Sequence, residues 1–322
     1  MITQLHIGNF RGIRNLTVNG LKRVNLIAGA NNAGKTALLE AIYAVTEPEK
    51  ALREPGLRAL LRNATNIAQP YENFWRWMFT DLDFNTPVQM QASWHPNELL
   101  VTQVDHVSHR DTNTDPPVMW IDKDLVYRAM AAHTRVAAKT RVFSTLPSDP
   151  QQEAIDYNRV VIKRGGEERV ERLLKKIEAR LGKIRALQTG TSPLIYADIG
   201  MPELIPITQL GQGFCRLLDI YSEIIAADSR LLLIDEIENG LHHDALKDVW
   251  HGLATTARSE DIQIFATTHS WECIRAAHKC FDETEEYDFA LHRLDRGEDG
   301  VKIVTYDRES LGAAIKHELE VR

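Results

Sequence analysis

Cysteine is scarce in this 322-residue chain, which has only Cys215, Cys273 and Cys280, an odd number set far apart. No disulfide framework follows, and a cytoplasmic setting is the expectation. The order Cys273, His278, Cys280 matches no zinc-binding spacing. Long apolar runs are lacking as well, which argues against a membrane-spanning helix. The first twenty residues carry Asn9, Arg11 and Arg14 and no apolar leader core. Positive charge is not in surplus. The formal net charge of −7 does not recommend nucleic acid as a bulk partner, although a local basic face could still bind it. Internal repeats, low-complexity tracts and glycine- or serine-rich linkers are missing, so a solenoid or a tethered array is not expected. What is present is 43% hydrophobic residues, enough for one large domain or a domain carrying an insertion.

The string Gly29-Ala30-Asn31-Asn32-Ala33-Gly34-Lys35-Thr36 fits G-x-x-x-x-G-K-[ST], the phosphate-binding loop of nucleotide hydrolases. An apolar stretch, Val24–Ala28, reads as a buried strand before it. Thr36–Tyr43 has apolar residues at helical spacing after it. Strand, glycine turn and helix N-terminus together form an anion site, because free backbone N–H groups and the helix dipole point the same way.

The N-terminus reads as two strands joined by the turn Asn9-Phe10-Arg11-Gly12. Helical pieces are predicted at Ala51–Arg62 and Tyr71–Phe79, strands at Pro87–Trp94 and Leu99–Asp105, and a polar loop at Ser108–Pro117. The aromatic run Phe74–Phe79 reads as an amphipathic helix packed on a sheet. Residues 166–188 read as one long helix. Across 163–185 nine basic residues face four glutamates, which makes this stretch the candidate DNA or acidic-partner surface of an acidic chain. Further on come strands at Leu194–Ile199, Leu231–Ile234 and Ile262–Thr267, and helices over Ile207–Ala227, Asp244–Thr256 and from Ser270. A hairpin, Phe289–Asp295 with Val301–Tyr306, closes the pattern. The expected organisation is an ATPase half at 1–47, an inserted α+β segment at 48–165, and a helical segment with the second half at 166–322.

Arg230–Ile234 is an apolar strand that ends in Asp235-Glu236, at the sheet edge where α/β folds bind phosphates. Asp235 is the expected Mg²⁺ partner beside the Thr36 hydroxyl. Glu236, pointing the other way, is the candidate general base for the attacking water. A second buried strand runs into Thr268-His269-Ser270, where His269 could bond and sense a γ-phosphate. Between them, Leu210-Gly211-Gln212-Gly213 is another glycine turn that opens a helix. One nucleotide does not need two such turns in one chain. Two chains head to tail do.

In this order the motifs resemble the ABC-type ATPase head. Within that class the chain looks like the branch containing RecF, the SMC heads and, most closely, the OLD-family ATPases. The G-x-N-N-x-G-K-T loop, the string Ile234-Asp235-Glu236-Ile237-Glu238-Asn239-Gly240-Leu241-His242 and the opening Asn9-Phe10-Arg11-Gly12 carry the likeness. It is specific over 1–45 and about 190–295.

The resemblance implies an α/β P-loop NTPase of ABC-ATPase type, a mixed sheet flanked by helices with an α+β insertion between its halves. It implies ATP and Mg²⁺ as cofactors and a homodimer or higher homo-oligomer. Gly29, Asn31, Asn32, Ala33, Gly34, Lys35, Thr36 and Ala37 would hold the phosphates, and Thr36 and Asp235 the metal. Lys35, Glu236 and His269 would be catalytic. Arg11 would lie near the base or ribose, and Gly211 and Gly213 would face the partner's nucleotide. Glu238, Asn239 and His242 would link the two sites. Gly211 replaces the usual signature serine, His243 stands where many relatives have proline, and only Gln89, Gln91 and Gln103 offer themselves as a Q-loop glutamine. Slow or partner-dependent turnover is therefore expected. Only 53 residues follow His269, too few for a Toprim nuclease domain. The expectation is an ATPase subunit that acts on a separate effector, a nuclease among the candidates, in anti-phage defence by analogy. The alternative is a RecF/SMC-like DNA repair ATPase.

Overall fold

The computed structural model describes residues 1–53, 77–94, 98–106, 119–122, 125–131, 139–145, 149–189, 192–298 and 300–322. Most of the 51–62 helix, the 108–117 loop and Phe74–Arg76 of the aromatic run lie outside the described residues.

Two six-stranded sheets clasp one helix. The strands of the first are β1 (Ile2–Phe10), β2 (Ile13–Val18), β4 (Val88–Trp94), β5 (Glu98–His106), β6 (Met119–Asp122) and β7 (Leu125–Ala131), in the order β2-β1-β4-β5-β7-β6 and antiparallel throughout. The second sheet uses β3 (Val24–Gly29), β8 (Thr140–Phe143), β12 (Leu231–Ile234), β13 (Gln263–Thr267), β14 (Phe289–Gly297) and β15 (Gly300–Tyr306). Its order is β15-β14-β3-β13-β12-β8, parallel except for β15. A small third sheet joins β9 (Ile184–Thr189), β10 (Ser192–Ala197) and β11 (Ile205–Pro206).

Strands β3, β12 and β13 are buried along their whole length, as a parallel sheet covered on both faces requires. Alternation along one strand then serves two cores. Leu231 and Leu233 face the core shared with helix α1 (Lys35–Thr46) and the antiparallel sheet. Leu232 and Ile234 face a second core. That core is built with α3 (Pro150–Val161), α4 (Gly166–Leu174), α5 (Gln212–Ala226), α6 (Leu246–Ser259) and α7 (Trp271–Asp282). Helices α2 (Pro48–Arg53) and α8 (Arg308–Lys316) complete the α-helices among the described residues. Buried Gln263 ties the sheets together: its Oε1 accepts from the Ile2 N–H at 2.8 Å and its Nε2 donates to the Ile2 carbonyl at 2.9 Å.

Two expectations are corrected here, and the strands of 48–165 are placed first. Strands β4 to β7 extend the sheet begun by β1 and β2, and β8 is the edge of the parallel sheet. The predicted 166–188 helix stops at Leu174, and its apolar residues from Ile184 onward form β9. The switch follows from pairing: Gly182 N–H donates to Asp198 O at 2.7 Å and Asp198 N–H to Lys183 O at 2.8 Å, which draws the chain into a hairpin with β10. The described end of the aromatic run is a turn, with Met78 and Phe79 buried and Trp77 64% exposed. Helix α8 carries no sequence expectation; Asp307 starts it with a capping box to Ser310.

Candidate functional site

The loop Gly29–Gly34 leaves the C-terminal end of β3 and enters α1 through Gly34, at φ +104° with no side-chain cap. The first N–H groups of α1 therefore point out of the loop without an intrahelical acceptor. Gly29 cannot be replaced easily: at φ +145°, a Cβ there would lie 2.5 Å from the Leu294 carbonyl oxygen. Asn31 and Asn32 are exposed at the tip, and Ala33 and Ala37 are buried beneath it. Lys35 is 6% exposed. Its ammonium donates to the Gly29 and Ala30 carbonyls at 2.7 and 2.9 Å and lies 3.2 Å from His269 Nδ1. Burial lowers the Lys35 pKa, while Asp235, Glu236 and Glu238 act to raise it.

The neighbouring strand ends deliver the acidic groups. Asp235 follows β12 and is buried, its Oδ2 at 3.5 Å from the Thr36 hydroxyl. Thr267, at the end of β13, donates to Asp235 Oδ1 at 2.6 Å and accepts from the Glu236 N–H at 2.8 Å. Glu236 sits at φ +48°, a left-handed conformation that a residue with a side chain seldom adopts. Glu236 Oε1 comes to 3.5 Å from His269 Nε2, both side chains being partly exposed. Glu238 accepts from the His269 N–H at 2.7 Å.

Gly211, at φ +93°, and Gly213 open α5. A Cβ on Gly213 would lie 2.1 Å from the Gly240 carbonyl oxygen, so this turn is pressed against the loop that follows the acidic pair. Asn239 in that loop donates to Thr145 O at 3.4 Å, and His242 is exposed with its Nδ1 accepting from the Asp244 N–H.

Lys35, Thr36, Asp235, Glu236 and His269 therefore converge. Arg11 does not join them. Its guanidinium is 3.1 Å from Glu40 of α1, with the two side chains 6% and 0% exposed, so it fastens the N-terminal hairpin to the helix rather than facing a ligand. Gln89, Gln91 and Gln103 lie on the antiparallel sheet, where Gln89 bonds Gln103. Five of the nine basic residues of 163–185 are already engaged. Lys163 bonds the Ala226 carbonyl, and Arg169, Arg180, Lys183 and Arg185 pair with Glu260, Glu178, Glu171 and Glu167.

Two participants escaped the sequence reading. One is Thr267; its signal was a hydroxyl closing a buried strand. The other is Arg216 on α5, which donates to Ser144 O at 2.8 Å and to Asp235 O. Its signal was a cation inside an otherwise buried helix face. Burial lowers its pKa, opposed by the charges of Asp235, Glu236 and Glu238.

A family model described as "AAA domain, putative AbiEii toxin, Type IV TA system" matches residues 58–274, and a model described as "AAA ATPase domain" matches residues 1–74. The chain belongs to this AAA domain family. An "ATP/GTP phosphatase" of Helicobacter pylori is 22% identical over 347 residues, covering 90% of each chain. A DNA replication and repair protein RecF of Nitrosococcus oceani is 50% identical, but over only 42 residues, 13% of this chain and 12% of that one. Among solved structures, an SMC head bound to the C-winged helix domain of ScpA superposes with a TM-score of 0.59 at 12% identity, covering 98% of this chain and 99% of that one. The SMC head domain from Thermotoga maritima superposes with a TM-score of 0.52 at 12% identity, covering 95% and 99%. This AAA protein thus has the fold of an SMC-type, ABC-class ATPase head, as the motif order implied. Among its described residues no helix is long and apolar enough to cross a membrane.

Proposed function

We propose that this AAA protein binds ATP at the Gly29–Ala37 loop, hydrolyses it, and uses a nucleotide-closed dimer to regulate a partner protein. The observation that carries the reading is the meeting of three strand ends: Lys35 with His269 at 3.2 Å, Thr36 with Asp235 at 3.5 Å, and Glu236 with His269 at 3.5 Å.

The fit to Mg²⁺ rests on the donors, since the Thr36 hydroxyl and a buried Asp235 carboxylate oxygen are hard oxygen ligands already close together. When bound, the ion would draw charge from the phosphates. Lys35 would exchange its loop carbonyls for β- and γ-phosphate oxygens, and the free N–H groups of α1 would bond the remainder. Glu236, held by Thr267 through its own N–H, would orient a water and take its proton as the water attacks phosphorus. His269, braced by Glu238, would bond the γ-phosphate and lose that bond when phosphate departs.

Gly211 and Gly213 present backbone at a helix start far along the chain from the first loop, which suits a role on the partner's triphosphate. The effector is proposed to be a separate protein, a nuclease being one candidate, with anti-phage defence as the setting and the cytoplasm as the source of ATP. The internal pairing of the 163–185 cations favours a protein partner over DNA.

The test is Glu236→Gln. Hydrolysis is expected to fall by about 10²–10⁴-fold. ATP with Mg²⁺ should move the variant to the dimer position in size exclusion, while ADP leaves it monomeric. Retained hydrolysis would remove Glu236 as the base, and an unshifted ATP-loaded variant would remove the dimer.

A further inference from the structure

We propose that Arg296 is the platform for the nucleotide's base, a base-binding residue on the strand opposite the catalytic groups. This rests on the reading that the Gly29–Ala37 loop holds a nucleoside triphosphate.

The sheet order gives the bound nucleotide a direction. The acidic groups and His269 come from β12 and β13, on one side of β3, whereas β14 lies on the other. A γ-phosphate facing Glu236 and His269 leaves the nucleoside to emerge toward β14 and the N-terminal hairpin. Strand β14 pairs Leu294 with Gly29, so Arg296 stands two residues beyond the start of the loop. Its Nη1 donates to the Asn32 carbonyl at 3.3 Å, and its Nη2 is 3.6 Å from where a Cβ of Gly12 would be. The guanidinium thus spans from the tip of the phosphate loop to the Asn9–Gly12 turn. It is exposed, and among the described residues no carboxylate pairs with it.

The other groups of that turn are committed. Arg11 is buried against Glu40, and Phe10 is 0% exposed. Gly12 adds no side chain. A planar, weakly hydrated guanidinium stacks well on an aromatic face. Stacking reads the face and not the hydrogen-bonding edge, so adenine and guanine should both be accepted. Trp77, 64% exposed, stands beside Met78, whose carbonyl accepts the Arg11 N–H at 2.9 Å.

Binding of ATP, GTP and inorganic tripolyphosphate to the full chain, measured by calorimetry with Mg²⁺, tests this. Arg296→Ala should weaken ATP and GTP by about tenfold and leave tripolyphosphate within about twofold. Arg296→Lys, which keeps the charge and loses the plane, should resemble the alanine variant. Equal weakening of tripolyphosphate, or full recovery with lysine, would make Arg296 a phosphate contact and overturn the proposal. So would unchanged ATP binding in Arg296→Ala alongside its loss in Trp77→Ala. A wild-type chain that binds neither nucleotide nor tripolyphosphate would fail at the loop itself, a result distinct from all of these.

Discussion

At the residue scale, Thr267 carries more than its size suggests. One hydroxyl fixes both members of the acidic pair, donating to Asp235 Oδ1 and accepting from the Glu236 N–H. Thr267→Val keeps the shape and removes both bonds. The loss leaves a part-buried N–H unpartnered and frees the Asp235 carboxylate, at a cost of about 1–3 kcal/mol. Turnover should fall by at least about tenfold if the carboxylates lose their aim. Steady-state hydrolysis and a urea melt on the same variant check both effects, and wild-type turnover would show that β12 alone holds the pair. Glu236 in its left-handed backbone belongs to the same picture, since the bond from its own N–H to Thr267 Oγ1 holds a conformation that the residue would not choose unaided.

At the element scale, β14 is held laterally by a buried histidine. His292 is 1% exposed, with Nδ1 at 2.9 Å from Thr305 Oγ1 on β15 and Nε2 at 3.3 Å from Asn25 Oδ1 on β3. Both neighbours are satisfied by a neutral ring that donates through Nε2 and accepts at Nδ1. Burial lowers its pKa from 6.5 to about 4. Between those values the unfolded chain binds a proton that the folded chain refuses. Stability from this group is therefore complete above about pH 6.5 and is lost as the pH falls toward 4, by roughly 3 kcal/mol in all. Thermal melts from pH 7 to pH 4 should show that decline, and His292→Gln should flatten it. An equally steep acid limb in the variant would assign the loss to other groups. Elements also explain where local pattern misled. The run after Leu174 keeps apolar residues at helical spacing, yet Ile184 is buried in a hairpin, because pairing with β10 satisfies the backbone there.

At the scale of the whole molecule, the parallel sheet is the shared wall of two cores. Leu233 supports the core of α1 and the antiparallel sheet, and Leu232 supports the core of the other helices. Leu232→Ala and Leu233→Ala should each cost about 2–5 kcal/mol. Because one strand serves both sides, each should lower a single common transition. Calorimetry with circular dichroism checks this, and two separated transitions in either variant would mean that the cores unfold independently. The same joint construction ties 48–165 into both sheets, since β4 lies against β1 and β8 against β12.

The phosphate loop, the acidic pair and the Thr-His-Ser strand end were legible in the sequence because each is a short contiguous string whose chemistry depends on its own backbone. The buried strands β3, β12 and β13 and the final hairpin were legible for the same reason, their apolar runs being local signals. Which strands lie side by side is a long-range matter that residue spacing does not encode. Only the folded chain decided that Arg11 would be spent on Glu40, that Arg216 and Thr267 would brace the acidic pair, and that Arg296 would stand at the loop's far side. Each of those outcomes depends on desolvation and pairing between segments brought together by the sheets, and those energies exist only once the chain has closed.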